Sequence, residues 1–392
     1  TKMVNNGIIL TCEIITAKGR YVSLKNPFVK VLDKEVYKNI DNEYRYIDAE
    51  CSINKVVLAK LPVSGIEPEI EGCMAGDIFS TKVINDYIKE NAEYLKIDVT
   101  NANSKELSKV VSLYLESNNK ELNSRANEIV KKFGHRLGLI LLTLKTGLKE
   151  NREARRNWTD EHWKYWAQLE NVILVGGLAN GIFGEKLKEY AIEVFKLANV
   201  KPYNILLFSN SSHIGIMGCA TQIKQRDGRF LVFDFGQTNV KRCVVEKKNG
   251  HVVSEKRLDN IPSLHMQIIF DDPKEEESES YLLDRFIVKT ITDTYKEVDK
   301  KGSHLKNEII MGIANYTVAG KLNAVRGGYS KMSGIADNYA DYLSNKLSSI
   351  IGEDEKVTLI HDGTANALYF KQYKNSVCIS MGTAFGVGFP LQ

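Results

Sequence analysis

The 392-residue chain contains no CxxC pair; its six cysteines, Cys12, Cys51, Cys73, Cys219, Cys243 and Cys378, stand far apart. That spacing excludes a zinc ribbon and argues against a disulfide scaffold. Most of them sit among Val, Ile, Leu, Met or Ala, as in VKRCVV and SVCIS, the usual setting of small buried hydrophobes. Long apolar runs are missing too. The longest, Leu137 to Leu144, is bounded by Lys131, Lys132 and Lys145 and falls well short of the ~20 residues that cross a bilayer. Neither sign of charge is in excess: 53 Lys+Arg against 49 Asp+Glu leave a net charge of +4, too little to imply a nucleic-acid or membrane partner. No internal repeat or low-complexity tract is visible. The opening Thr-Lys-Met-Val-Asn-Asn lacks the charged-then-apolar order of a signal peptide, so a cytoplasmic location is expected.

What remains is an ordinary globular composition, 26% charged and 43% hydrophobic, long enough for more than one core. Short β-rich stretches (NGIILTCEI, RYVSL, KVVLAKL) fill the first 65 residues, and helical periodicity follows from about Thr81 to Lys149. The segment ELNSRANEIVKKFGHRLGLILLTLKTGL has apolar residues at helical spacing, as a helix packed between layers would. The strand NVILVGG and the helix LANGIFGEKLKEYAIEVFKLA come next. A polar linker, Gln222 to Arg229, precedes a second half that opens with the strand RFLVFDFG and a hairpin marked by Asn249-Gly250. The acidic run DDPKEEESES reads as a solvated loop or helix start, and beyond it strands and helices alternate to the end. The pattern predicts an α/β fold.

Four glycine-rich turns stand at predicted strand ends. In LVFDFGQTNVKRCVV, Asp234 is placed to hold a hydrated divalent cation, while Gly236 and Thr238 can offer donors to phosphate; a plain DxG hairpin turn has the same sequence. In VTLIHDGTANAL, Asp362 can accept a proton from an attacking hydroxyl in the crevice at a strand's carboxyl end, or it is simply the first residue of a helix that Thr364 caps. SVCISMGTAFGVGF offers Gly382, Thr383, Gly386 and Gly388 as a phosphate cradle or a bent hairpin. In NVILVGGLANGIFGEKL, Gly176 and Gly177 leave room for a flat ring, but the full GxGxxG fingerprint is lacking.

Together these motifs resemble the actin-like ATPase and sugar-kinase superfamily, most closely the ROK and hexokinase-like sugar kinases. DFGQTNVK is similar to the first phosphate motif, IHDGTANAL to the catalytic-Asp motif, SMGTAFGVGF to the second phosphate motif and VILVGGLANGIFGEKL to the adenosine motif. IIMGIANYTVAGKL resembles the family's GIxxPG segment, with Val318, Ala319 and Gly320 at the turn. The order departs from the family's, because here the adenosine motif comes first and the second phosphate motif ends the chain. A circular permutation accounts for this, with SSHIGIMGCATQI as the family's closing helix.

The resemblance implies a two-lobed α/β, RNase H-like fold with a central cleft. One lobe would be residues 1–210 completed by 367–392, the other 229–366 with a helix at 211–222. It implies ATP and Mg²⁺, with Asp362 as general base, Asp234 holding Mg²⁺ through water, Gly236, Gln237, Thr238, Lys241, Gly382 and Thr383 on phosphates, and Gly176, Gly177 and Asn180 beside the adenosine. His361 replaces the family's Asn and would contact a sugar hydroxyl, and Glu67, Glu69 and Glu71 are candidates for the family's sugar-binding glutamate. The family's zinc-binding Cys cluster is replaced by GIEPEIEGCMAGDIFS, so no zinc is expected. The expected activity is phosphorylation of a sugar-like small molecule, with a homodimer left open and neither nucleic acid nor membrane as partner. A non-catalytic sugar sensor and an acyl- or polyphosphate-acting phosphotransferase or phosphatase are the alternatives.

Overall fold

The computed structural model describes residues 25–32, 44–97, 107–208, 211–264, 272–299 and 304–390. Among these the chain runs β1 (Val29–Leu32), β2 (Tyr44–Ile47), α1 (Ala75–Ile78), α2 (Thr81–Glu90), α3 (Ala92–Leu95), α4 (Leu107–Leu115), α5 (Lys120–Thr146), α6 (Lys149–Ala154) and α7 (Asp160–Gln168). It continues through β3 (Asn171–Val175), α8 (Gly181–Leu197), β4 (Asn204–Leu207), α9 (Ile214–Ala220), β5 (Gly228–Phe235), β6 (Asn239–Lys248), β7 (His251–Pro262), α10 (Pro273–Asp299) and β8 (Leu305–Ile313). The last elements are β9 (Asn315–Val318), β10 (Lys321–Gly327), α11 (Tyr339–Ile351), β11 (Lys356–His361), α12 (Asp362–Tyr369), β12 (Ser376–Met381) and β13 (Phe385–Gly388). The fold is mixed α/β with several sheets.

The chain divides into two compact units. Unit 1 takes in the chain up to Phe28, Glu50–Ser212 and Gln372–Val387; unit 2 takes in Val29–Ala49, His213–Lys371 and Gly388 onward. This differs from the boundaries read in the sequence: Val29–Ala49 and the whole of α12 go with unit 2. The expected strands NGIILTCEI and RYVSL lie outside the described residues, as do Thr1 and Gln392. KVVLAKL is not a strand; it follows a 3-10 turn, Ile53–Lys55, and keeps one isolated bridge, Val57 to Met74.

Unit 1 carries a four-stranded sheet in the order β13-β12-β3-β4. The register Ser376↔Asn171 and Asn171↔Asn204 makes β12, β3 and β4 parallel. The end of the chain therefore completes a sheet begun some 200 residues earlier in sequence. The predicted long helix is α5, started by Asn119, whose side chain accepts from the N–H groups of Glu121 and Leu122, and stopped by Gly147 in the left-handed conformation.

Unit 2 is built on a five-stranded sheet in the order β11-β8-β5-β6-β7, in which β5, β6 and β7 are antiparallel and β5, β8 and β11 parallel. The turn between β6 and β7 is the predicted one, with Asn249 and Gly250 both at positive φ, 53° and 83°, as a two-residue hairpin requires. Side chains of β5 alternate between two buried faces. Leu231, Phe233 and Phe235 join a core with Leu283, Ile287 and Ile291 of α10 and Leu343 and Leu347 of α11. Phe230 and Val232 join another with Ile216, Cys219 and Ala220 of α9 and Ala365 of α12. The apolar run that predicted a buried strand is thus sandwiched between helices, the arrangement such a run needs. Buried Asp284 of α10 accepts from Tyr339 Oη (2.9 Å), Tyr342 Oη (3.1 Å) and Lys346 Nζ (2.6 Å) and ties α10 to α11.

Candidate functional site

The period of two that sorts the core also places the chemistry. Asp234 has the parity of Phe230 and Val232, so its carboxylate lies on the α9/α12 side of the sheet. Asp362 follows Ile360 by two residues and has the same parity, just beyond the last rung of the parallel strands, Phe235–Ile313–His361. Between them in the preceding rung, Asp234–Gly312–Ile360, stands a residue with no side chain. Carboxyl ends of parallel strands are where ligands bind in α/β sheets, because loops and helix starts diverge there.

Small residues let α9 close over this face. A Cβ on Gly215 would stand 3.1 Å from Asp234 Oδ2 and 3.3 Å from Asn366 Oδ1, and one on Gly218 only 1.6 Å from the carbonyl oxygen of Ala365. A Cβ on Gly312 would stand 3.1 Å from Cys219 Sγ. The α9 and α12 backbones therefore meet with no side chain between them at Gly218.

Asp234 is buried, its side chain 11% exposed, and its Oδ2 accepts from Lys241 Nζ at 2.6 Å. The two residues are directly opposed on β5 and β6. Burial would lower the Lys241 ammonium's pKa, but the Asp234 and Asp362 charges prevail and raise it, so Lys241 stays charged. Asp362 begins α12 with its side chain 32% exposed, and its Oδ1 accepts from the Gly363 N–H at 2.7 Å. Loss of hydration, with the like charge of Asp234 adding to it, pushes the Asp362 pKa up to about 7 against the opposing pull of the Gly363 N–H and Lys241. A carboxyl balanced near neutrality can take or give a proton at physiological pH.

Other predicted residues have partners within the chain. His361 is buried, 6% exposed, and stacked on Tyr316 with ring centres 4.2 Å apart. It serves as the N-cap of α12, the role expected of Thr364, with Nδ1 accepting from the Thr364 N–H and Nε2 3.2 Å from Asp362 Oδ1. Glu67, in unit 1, is held by Lys132 and by Arg136, whose Nε donates at 3.0 Å. Burial raises its pKa, but these partners outweigh it and hold the carboxyl below its ordinary value. Glu71 accepts from the Leu61 N–H at 3.0 Å, and Glu69 is exposed on a 3-10 turn, Pro68–Ile70.

The β5–β6 turn is closed by Gly236 N–H to Asn239 O (3.2 Å), leaving Gln237 half-buried and Thr238 exposed. In unit 1, Gly176 ends β3 at φ 94°, and a Cβ there would lie 2.5 Å from the Met381 carbonyl oxygen; only glycine lets the ends of β3 and β12 meet. Asn180 is spent on this turn, donating to Gly176 O (3.2 Å) and accepting from Ser211 Oγ (2.8 Å). Gly177 has open space where a Cβ would be, as has Gly382, whose carbonyl accepts from the Thr81 N–H, while Thr383 beside it is exposed.

Among the described residues no group of three or more His, Cys, Asp or Glu is arranged to hold a metal. Two carboxylates do share the face. Lys241 takes Oδ2 of Asp234, and the Gly363 N–H takes Oδ1 of Asp362, which leaves one oxygen on each. That is the sparse donor set used by a mostly hydrated Mg²⁺, and a dication would offset the Asp234 charge that adds to burial in raising Asp362. The sequence had not indicated the roles of Asn366, Gly215 and Gly218; the Gly-x-x-Gly spacing in HIGIMGC was the available signal for close helix contact.

No family model matches the chain, and no curated protein matches it. Solved structures similar to it include the ethanolamine utilization protein EutJ from Carboxydothermus hydrogenoformans (13% identity over 51% of this chain and 64% of that one, TM-score 0.27). Others are the Aquifex aeolicus Ppx/GppA phosphatase (13% identity, 59% and 82%, TM-score 0.30) and an exopolyphosphatase-like protein (11% identity, 64% and 85%, TM-score 0.25). The chain thus spans less than two thirds of the EutJ chain, and likenesses this distant carry no weight for its activity. No helix among the described residues is long and apolar enough to cross a membrane.

Proposed function

We propose that this chain is an ATP-dependent phosphotransferase of the actin-like type, in circularly permuted order, with Asp362 as the general base. The observation that carries the reading is the pairing, on one sheet face, of a carboxyl titrating near 7 at a helix start with the buried Asp234–Lys241 ion pair. The sheet of unit 2 supports it: a three-stranded antiparallel meander extended by two parallel strands, β7-β6-β5-β8-β11, is the RNase H-like arrangement. The permuted order is supported by the parallel pairing of β12 with β3 in unit 1 and by the packing of α9 against β5 and α12 in unit 2.

In this reading the ionised Asp362 takes the proton of the attacking oxygen as it bonds to the γ-phosphorus and the bond from that phosphorus to the β,γ-bridging oxygen breaks, ADP leaving, while the Gly363 N–H holds the other oxygen of Asp362. Lys241 neutralises Asp234 and adds positive charge beside the developing phosphoryl charge. Asp234 would hold Mg²⁺ through its water, and the ion would supply charge neutralisation on the phosphate oxygens. Gly236, Gln237 and Thr238 present the hairpin turn to phosphate.

The acceptor is a hydroxyl of a sugar-like molecule in the first form of this proposal. A second form takes water as the acceptor, because Glu67, Glu71 and His361, three residues assigned to the sugar, are each held by the chain's own groups. One assay separates them: ADP release from Mg·ATP, with and without a panel of hexoses and amino sugars. Stimulation by a sugar, with phosphate appearing on it, supports the kinase; acceptor-independent release of inorganic phosphate supports the hydrolase. No ADP under any condition rejects both.

A further inference from the structure

The β5–β6 turn is open where a two-residue hairpin is ordinarily shut. Its closing pair, Gly236 and Asn239, follows the last opposed residues of the two strands, Phe235 and Val240, and in such a loop each member of the closing pair donates to the other. Here the Gly236 N–H donates to Asn239 O at 3.2 Å, but the converse bond is not formed. The Gly236 carbonyl turns instead to two hydroxyls, Ser263 Oγ at 2.8 Å and Tyr329 Oη at 3.2 Å, one for each of its lone pairs. Ser263 also donates its N–H to the Thr238 carbonyl at 3.0 Å.

Both residues are anchored. Ser263 directly follows β7, whose Pro262 is opposed to Asn239. Tyr329 is fully buried in the core that α10 and α11 share. Backbone bonds tie its position to the end of β5, because the Ala314 N–H donates to Phe235 O at 3.0 Å and the Gly328 N–H to Ala314 O at 2.9 Å. The peptides of the turn are trans, so each N–H points opposite to the carbonyl of its own peptide. With the Gly236 and Thr238 carbonyls converging on Ser263, the N–H groups of Gln237 and Asn239 point away from it. Among the described residues the Gln237 and Thr238 amides have no acceptor, and the Asn239 N–H does not close on Gly236. Successive unspent amides of this kind suit an anion.

We propose that Tyr329 and Ser263 are positioning residues for the phosphate turn: they hold the Gly236 and Thr238 carbonyls back, keep the hairpin from closing, and leave the Gln237 and Asn239 N–H groups aimed outward at a phosphate. This rests on the reading of the β5–β6 turn as a phosphate site. Each residue acts through the backbone of the turn. Because the two hydroxyls share one carbonyl, either can hold it alone, and the effects of removing them should be non-additive.

Tyr329→Phe and Ser263→Ala each delete one hydroxyl and little else. In the full chain either one alone should weaken Mg·ATP binding, measured calorimetrically, by less than about threefold, and the two together by about tenfold. Affinity for adenosine, which has no phosphate, should change less than about twofold in the double variant, and Ser263→Thr, which keeps the hydroxyl, should bind Mg·ATP within about twofold of the parent. Parent-like ATP affinity in the double variant overturns the proposal, as does an equal loss for ATP and adenosine, which would make the contacts merely structural.

If the parent binds no ATP, the phosphate reading fails but the open turn is still tested. Amide hydrogen exchange on the full chain should find the Asn239 N–H unprotected in the parent and at least about tenfold slower to exchange in the double variant, where the released Gly236 carbonyl lets the hairpin close. An Asn239 amide already protected in the parent overturns the proposal whether or not the double variant folds, and so does one that fails to slow in a folded double variant.

Discussion

Replacing Asp362 by Asn should make the protein more stable and less active at once. In the fold the carboxyl titrates at about 7 instead of 3.8, so the folded state binds its proton more tightly than the unfolded chain. Such a group contributes stability that is fully present below 3.8 and is lost as pH rises to about 7. The difference corresponds to an upper bound of about 4 kcal/mol, at about 1.4 kcal/mol per pH unit. Because the side chain is 32% exposed and keeps its Gly363 partner, solvent screening reduces the expected gain to about 1–2 kcal/mol. Asn carries no charge to desolvate and accepts from the same donors. Urea denaturation of parent and variant at pH 8 and pH 3, below the unfolded-state value of 3.8, reads the effect. The gain should be present at pH 8 and nearly absent at pH 3, and an equal gain at both, or a loss at pH 8, would refute the argument that Asp362 is held at an electrostatic cost for use in chemistry.

Glu355, 3% exposed with no partner for either carboxyl oxygen among the described residues, is pushed up to about 7 by burial and by Glu353 and Asp354. The same sign applies, so Glu355→Gln should raise the urea midpoint at pH 8 by about 1–2 kcal/mol in stability and change it little at pH 4.5. Gly218→Ala places a Cβ 1.6 Å from the Ala365 carbonyl oxygen; forcing α9 and α12 apart should cost about 3 kcal/mol and, by shifting the helix that begins with Asp362, lower ATP turnover as well. Asp234→Ala should weaken ATP binding measured calorimetrically more with Mg²⁺ than without it; equal losses would make Asp234 only the partner of Lys241.

Strand and helix identities in the second half were legible because their signals are local. The run FLVFDF is apolar on both faces since β5 is covered on both, and Asn249-Gly250 supplies the two positive φ angles its hairpin needs. Asp234 and Asp362 could be singled out because a carboxylate ending a buried apolar run is conspicuous. Their placement on one face could not be read, since it depends on the register Asp234↔Gly312↔Ile360 across three strands far apart in sequence. His361 and Glu67 show the complementary limit. Each sits in a segment where a ligand contact was plausible, and only the long-range or turn geometry reveals that Thr364, Arg136 and Lys132 already hold them. KVVLAKL has strand-like composition, but its backbone bonds are satisfied by a loop, through Leu58 N–H to Cys73 O and Ala75 N–H to Val56 O.

The central claim is that Asp362 transfers a proton during attack on the γ-phosphate. Single-turnover conversion of Mg·ATP to ADP by excess enzyme, in the presence of the best acceptor or of water alone, measures that step apart from product release. The account predicts that Asp362→Asn binds Mg·ATP with affinity near the parent's but converts it at least ~10²-fold more slowly. Conversion by Asp362→Asn at the parent rate would contradict it.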